Sequence, residues 1–289
     1  MKKRVLFIIN PISGVGKQKT VEKAVEKYLD KNIEATFSYT QKAGHATEIS
    51  AAAIGKYDVV VATGGDGTIN ETASPLIGTE TVLAVIPTGS GNGFARHLKI
   101  PLTPSKAVQK INKHTITKID TATINRKKFV NVAGIGFDAH IAHEFATFGQ
   151  RGFFPYFALI LKKFAGYKPL KYTITVDGTQ FEQKAFLMSF ANSSQFGFNA
   201  QIAPKAQMTD GRLELTILKK FPLIAAPALV TRLFVQNIDK SMYIKYMQFK
   251  HLRIDFDGNQ IYGHTDGEPC VFDNTIEVTI VPSSLNVLV

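Results

Sequence analysis

Three glycines surround one carboxylate in Gly64-Gly65-Asp66-Gly67, and Thr68 and Asn70 follow at once. Glycine lets a backbone come close to an anion and adopt positive φ. A helix starting there turns unpaired N–H groups and the positive end of its dipole toward the same anion. Such a loop can hold phosphate. A carboxylate beside polyphosphate repels it unless a divalent cation lies between them, so Asp66 points to a metal–nucleotide complex rather than a bare nucleotide.

A second glycine loop, Pro87-Thr88-Gly89-Ser90-Gly91-Asn92-Gly93, follows another apolar run. Two such loops at the ends of successive strands meet at one sheet edge, where open α/β sheets bind ligands. Far along the chain, Gly263-His264-Thr265-Asp266-Gly267-Glu268-Pro269 is another acidic glycine turn. If the two halves of the chain form a cleft, Asp66 and Asp266 face each other across it. One then organises the metal on a triphosphate while the other accepts a hydroxyl proton, which is what phosphoryl transfer asks of a protein. Met208-Thr209-Asp210-Gly211-Arg212 sets a carboxylate beside loop carbonyls, a group suited to a hard cation. Gly, Asp and Asn also dominate ordinary turns, so each motif also has a plain reading as a turn.

Strands must precede these loops to position them. Asp58-Val59-Val60-Val61-Ala62 is a β-branched run ending in the first loop, and Thr68 then opens a helix with Ile69, Thr72, Ala73, Leu76 and Ile77 on one face. Val82-Leu83-Ala84-Val85-Ile86 serves the second loop, whose helix continues through Phe94 and Leu98. Upstream lie a buried first strand from Val5 to Ile9, a helix with Val21, Ala24, Val25, Tyr28 and Leu29 inward, and a strand over 33–40. A helix with Ala46, Ile49, Ala53 and Ile54 inward comes next, and another covers 104–112. Up to about residue 120 the order is β-α four times over, a parallel doubly wound sheet. Asn10-Pro11-Ile12-Ser13-Gly14-Val15-Gly16-Lys17 fails as a P-loop: Pro11 stands where the first glycine belongs, and Gln18 where a magnesium-binding hydroxyl belongs. His45 reads as a capping or surface residue more readily than as a phosphate contact.

From Lys118 the text alternates with period two, as in Lys171-Tyr172-Thr173-Ile174-Thr175-Val176, with Asp-Gly turns between strands. This half is expected to be a mainly antiparallel β-sandwich with few helices. Its last strands fall at 251–256, 260–263 and 275–281, and the tail 285–289 returns to the first half. The chain thus divides into an α/β domain over 1–122, with the tail from about 283–289, and a β-rich domain over 123–282. Two stretches break the pattern. Residues 145–171 mix Phe148, Phe153, Phe154, Tyr156 and Phe157 with Arg151, Lys162, Lys163 and Lys168, and 221–246 is similar. Aromatic faces with basic flanks suit a membrane interface and interdomain packing alike.

The formal net charge of +11 predicts attraction to something anionic. Scattered lysines without a recognition motif argue against nucleic acid. Cys270 is the single cysteine, so an intramolecular disulfide is excluded and a reducing compartment is compatible. The apolar run from Val5 to Ile9 is too short for a signal peptide, and Pro222 and Pro227 interrupt the longest apolar stretch, which cannot span a bilayer.

Gly64-Gly65-Asp66-Gly67-Thr68-Ile69-Asn70-Glu71, with Asn10-Pro11 and Ser13-Gly14 upstream and Gly89-Ser90-Gly91-Asn92 downstream, resembles the catalytic domain shared by diacylglycerol kinases, sphingosine kinases and bacterial lipid kinases. Ala191-Asn192, Ala203-Pro204-Lys205-Ala206, Asp210-Gly211-Arg212-Leu213 and Asp266-Gly267-Glu268 carry the resemblance to the end of the chain. It implies an N-terminal domain like that of NAD kinases, a β-sandwich that cradles an acyl chain, and a cleft between them. The implied reaction is ATP- and Mg2+-dependent phosphorylation of a diacylglycerol- or sphingosine-like hydroxyl, within phospholipid biosynthesis. By the same resemblance, Asn10, Thr40, Gly64, Gly65, Asp66, Gly67, Thr68, Asn70, Ser90 and Glu268 contact ATP. Asp66 and Asp120 hold the magnesium network, and Asp266 is the proton acceptor. Gln207 and Arg212 carbonyls with the Asp210 carboxylate form a structural metal site for Mg2+ or Ca2+. One departure is notable: many bacterial diacylglycerol kinases have an acidic residue after the asparagine of the second loop, where this chain has Gly93. That form is closer to sphingosine and ceramide kinases and leaves the lipid open.

These readings predict a cytoplasmic enzyme with peripheral contact to anionic membrane, and they leave a homodimer open. The rival within enzymes is an NAD kinase. The rival outside them is a non-catalytic sensor of nucleotide or anionic lipid.

Overall fold

A computed structural model describes residues 2–14, 18–147, 153–164 and 166–289. The chain opens with β1 (Lys3–Ile9), α1 (Gln18–Tyr28), β2 (Ile33–Tyr39), α2 (His45–Ala53), β3 (Val59–Gly64), α3 (Asp66–Leu76), β4 (Val82–Pro87), α4 (Gly93–His97) and α5 (Pro104–Asn112). Strands pair in parallel in the order β4-β3-β1-β2. Strand order therefore reverses between β1 and β3, and a crevice opens there at the strand C-termini. Helices cover both faces. Val5, Phe7 and Ile9 pack with Val21, Val25, Val108 and Ile111 on one side, and Leu6 and Ile8 pack with Ile69, Ala73 and Leu76 on the other. That two-sided burial explains why these strands read as unbroken apolar runs.

Two local expectations change. α3 begins at Asp66, with Gly65 extended as its N-cap, rather than at Thr68. Thr68 is buried, and its Oγ1 accepts from Asn10 Nδ2 at 3.0 Å. Ile54, expected inward, is 38% exposed because the chain turns out of the helix at this C-cap residue, with ψ 130°.

The second half comprises β5 (Ile116–Ile124), β6 (Lys127–Phe129), β7 (Val132–Gly136), α6 (Phe137–Thr147), α7 (Phe153–Phe164), β8 (Leu170–Val176), β9 (Thr179–Ala185) and β10 (Leu187–Ala191). It continues with β11 (Gln195–Gly197), β12 (Ala200–Gln201), β13 (Leu213–Leu218), α8 (Ala226–Phe234), β14 (Ile244–Phe249), β15 (His251–Thr265) and β16 (Glu268–Leu288). It is the expected antiparallel sandwich, closed over Phe129, Ile135, Tyr172, Phe190, Phe249 and Phe272. Its last strands are longer than the alternation suggests. β15 runs unbroken across a register irregularity between Asp255 and Gln260, and β16 continues into the tail past another between Val281 and Leu285. β16 pairs with β15, with β5, and finally in parallel with β4 through Val287 and Leu83. Of the aromatic stretch, Phe148 and Arg151 lie outside the described residues.

Candidate active site

Backbone hydrogen bonds bring the ends of the parallel strands into one rim. Thr40 N–H donates to Ile9 O at 2.9 Å, Asn10 N–H to Thr63 O at 3.0 Å, and Thr88 N–H to Gly64 O at 2.9 Å. The Asn10 side chain organises the turn after β1: Oδ1 accepts from Ile12 N–H at 3.0 Å while Nδ2 reaches Thr68. A Cβ on Gly89 would stand 2.5 Å from the Gly65 Cα, so the two glycine loops meet backbone to backbone where no side chain fits. Ser90 is exposed and Thr40 is buried. Asn10, Thr40, Gly64, Gly65, Gly67, Thr68 and Ser90 thus belong to one strand-end rim.

Asp66 sits in the first turn of α3 and turns toward the second loop. Its Oδ1 accepts from Phe94 N–H at 3.2 Å, and a Cβ on Gly91 would come within 3.3 Å of its Oδ2. Burial pushes its carboxyl above the usual range, opposed by the backbone N–H groups of Phe94, Gly93 and Asn92. Asn92 has φ 51°, and its Nδ2 ties back to Gly89 O at 2.8 Å. Gly93 is buried, and a Cβ there would lie 2.9 Å from Asn131 Nδ2 and 3.0 Å from Gln195 O. The strand-rich half therefore occupies the place where an acidic side chain would stand.

Asp266 and Gly267 are the two central residues of the β15–β16 hairpin, with φ 50° and 87° and Thr265 paired to Glu268, a type I′ turn. The turn tips the Asp266 carboxylate inward. Oδ1 accepts from Asn131 N–H at 2.8 Å and Val132 N–H at 2.9 Å. Oδ2 accepts from Val130 N–H at 2.9 Å and Asn70 Nδ2 at 2.5 Å. Burial raises this carboxyl, and the same four donors pull against the rise. Since Asn70 lies one turn beyond Asp66 on α3, the two acidic turns belong to one locale. Glu268 completes it. A Cβ on Gly67 would stand 2.8 Å from Glu268 Oε1, which places this carboxylate over the first turn of α3. Burial, then the nearby Glu71 and Asp266, push its carboxyl up.

The residues expected to hold metal lie in two places, Asp66 at the strand-end rim and Asp120 with the Asp210 turn on the strand-rich half. Asp120 is buried, but its carboxylate accepts from Gly211 N–H and Ser283 N–H, each at 2.7 Å. It therefore braces the Asp210 turn and the returning tail. Asp210 Oδ1 accepts from Arg212 N–H at 3.0 Å, and Gln207, Asp210 and Arg212 lie exposed around this one turn. Among the described residues, no three His, Cys, Asp or Glu side chains stand close enough together to hold an ion. Glu71 serves as a brace, accepting from Gly44 N–H at 2.8 Å and Ala46 N–H at 3.1 Å at the start of α2. His45 stays local, its Nδ1 accepting from Gln41 N–H at 3.0 Å.

Sequence reasoning missed the supports behind the site. Asn192 Nδ2 donates to Asp120 O and Val130 O at 2.8 Å each, and Val130 is one of the donors to Asp266. His264 Nε2 lies 3.0 Å from Asp138 Oδ2. His97 Nδ1 accepts from Ser194 N–H at 3.1 Å, and burial lowers its pKa to about 4. All three contacts join segments far apart in the chain, so no local spacing announces them.

Residues 4–124 match the family model of the diacylglycerol kinase catalytic domain, and residues 131–289 match that of the YegS C-terminal NAD kinase beta sandwich-like domain. The chain is 30% identical to a diacylglycerol kinase of Bacillus subtilis over 75% of its own length and 74% of the relative's. It is 28% identical to a diacylglycerol kinase of Mycobacterium tuberculosis over 99% and 94%. The fold matches the crystal structure of a diacylglycerol kinase from Bacillus anthracis with a TM-score of 0.77, at 22% identity, covering 99% of this chain and 96% of that one.

Proposed function

The chain belongs to the diacylglycerol kinase catalytic-domain family of lipid kinases and is a phosphotransferase acting on an alcohol group, and from that premise we propose that it phosphorylates the hydroxyl of a diacylglycerol- or sphingosine-like lipid with ATP. The observation that carries this reading is the meeting of α3 with the β15–β16 hairpin, where Asn70 bonds Asp266 and Glu268 lies over Gly67, next in sequence to Asp66. Bound ATP supplies the phosphoryl group, and a divalent ion, Mg2+ first, neutralises its charge.

The residues fit both groups. Gly89 packs so close to Gly65 that a Cβ on it would stand 2.5 Å from the Gly65 Cα, which leaves bare backbone beside the N-terminus of an eleven-residue helix, a setting suited to phosphate. Magnesium usually takes only one or two protein carboxylates, with phosphate oxygens and water completing its shell. Asp66 would hold it, with Glu268 beside the nucleotide. Asn10, Thr40, Thr68 and Ser90 would orient the phosphates and ribose. Asp266 is proposed as the proton acceptor, with Asn70 as the contact it must shed, because all four lone-pair positions of its carboxylate are engaged. Such geometry often rearranges when substrate binds. A second reading gives that role to Glu268, whose carboxylate has no hydrogen-bond partner among the described residues. The Asp210 turn is proposed as the structural cation site, for Mg2+ or Ca2+, with Asp120 as its brace.

The net charge of +11 supports peripheral contact with an anionic membrane, and the lone Cys270 is compatible with the cytoplasm. Radiolabelled phosphate transfer from ATP to a lipid extract, run beside transfer to NAD, tests the proposal. Labelled lipid with unlabelled NAD is expected. Labelled NAD alone overturns it, and ATP binding without any transfer favours a sensor.

A further inference from the structure

The segment between Lys219 and Tyr243 leaves the sheet after β13 and returns to β14, closed at its neck by Lys219 N–H donating to Tyr243 O at 2.8 Å. Inside, it is well packed: Phe221, Leu229, Leu233 and Ile238 join Phe137, Phe164 and Phe186 in one cluster. Outside, it is bare. Ile224 is 89% exposed and Met242 80%, with Leu223, Val230, Phe234 and Val235 also open. On α8, Leu229 and Leu233 form the inward stripe while Val230 and Phe234, one position on, form an outward one. A helix with two apolar stripes has a second apolar surface to meet.

Charge says which surface. The segment carries Lys219, Lys220, Arg232 and Lys240 against a single acid, Asp239, and that carboxylate is taken by Lys205 Nζ at 2.8 Å. Exposed aliphatic side chains with a basic border suit an anionic bilayer, where apolar groups enter the acyl boundary and lysines stay among the head groups. We propose that this excursion is the face on which the protein seats itself on an anionic lipid bilayer, with Leu223, Ile224 and Met242 as its inserted side chains. The proposal rests on the lipid-kinase reading and deepens it. The cluster beneath the excursion reaches Phe137, directly after β7, and the other end of β7 is Val132, whose N–H holds Asp266. Strand β7, about 13 Å long at about 3.3 Å per residue, thus runs from the packed base of the excursion to the proposed acceptor site.

The test is sedimentation of the full chain with vesicles of phosphatidylcholine alone and with added phosphatidylglycerol, for the wild type and for Ile224→Glu with Met242→Glu. Phosphorylation of detergent-dispersed lipid and Tm are measured alongside. The wild type is expected to bind the anionic vesicles preferentially, and the double variant to lose about tenfold or more of that binding. Tm and turnover of dispersed lipid should hold, since both side chains lie outside the packed core. Undiminished vesicle binding by the variant, or a wild-type dimer in light scattering that the substitutions dissociate, overturns the seat. A wild type that phosphorylates dispersed lipid yet stays off anionic vesicles also overturns it and leaves the kinase reading standing. A wild type that phosphorylates no lipid strikes the kinase reading itself.

Discussion

Asn70 Nδ2 donates to Asp266 Oδ2 at 2.5 Å across 196 residues of sequence, tying the first glycine loop's helix to the tip of the last hairpin. The bond joins the strand-end rim to the strand-rich half and occupies the last free position on a buried carboxylate.

Replacing Asp266 by Asn sets an amide NH2 against backbone donors that need an acceptor. We expect a loss of about 3 kcal/mol, because a buried donor is left unpaired, and a fall in turnover of about a thousandfold if this is the acceptor. Asn70→Ala removes one donor only and should cost about 1–2 kcal/mol. Thermal melts and single-turnover kinetics of both variants check the pair. Full turnover in Asp266→Asn with a lowered Tm would assign the residue to structure and move the acceptor to Glu268.

Asp66→Asn keeps an oxygen acceptor for Phe94 N–H but turns an NH2 toward the neighbouring backbone donors, so its Tm should fall less than that of Asp266→Asn. Turnover should fall about a hundredfold or more through lost metal and phosphate positioning. Because burial raises the carboxyls of both Asp66 and Glu268, activity that needs them ionised should fail on acidification above the usual carboxylate range. Saturating cation should draw that acid limb back down, since it favours the ionised form. A pH profile of kcat/KM at two metal concentrations measures the shift.

The buried His97 makes a separate prediction. Its folded pKa of about 4 lies below the ordinary 6.5, so it binds fewer protons folded than unfolded in that window. Its contribution is fully present above pH 6.5 and is lost as pH falls toward 4, about 3 kcal/mol in all at about 1.4 kcal/mol per unit. His97→Asn should flatten the stability curve between those pH values relative to wild type. Denaturant titrations at several pH values decide it, and parallel curves would refute the assignment.

Gly93→Ala should destabilise by about 1–3 kcal/mol through overpacking, and Gly93→Asp by more, since a buried charge is added. The obstacle is Asn131 Nδ2 at 2.9 Å and Gln195 O at 3.0 Å from the new Cβ. Urea midpoints of the two variants test this.

Much of this was legible in the residues. Val59-Val60-Val61 before Gly64 announced a buried parallel strand, and Asp266-Gly267 announced a turn, which the structure makes the type I′ tip of a hairpin. The start of α3 was misread because Gly65 caps it with no side-chain hydrogen bond, which left Thr68 as the more obvious signal. The setting of Asp120 had no local signature: its partners, Gly211 and Ser283, reach it only after two distant segments fold over β5. The His264–Asp138 contact, 126 residues apart, has no local signature at all.

β16 begins at the hairpin tip beside Asp266, crosses the sandwich, and ends against β4 of the parallel sheet. The last residues are thus a common girder rather than a loose end. Widening the gap between the strand-end rim and the hairpin would have to strain that girder, so on the proposed function the entry of a substrate would draw on the stiffness of a shared sheet and not on the swing of a tether.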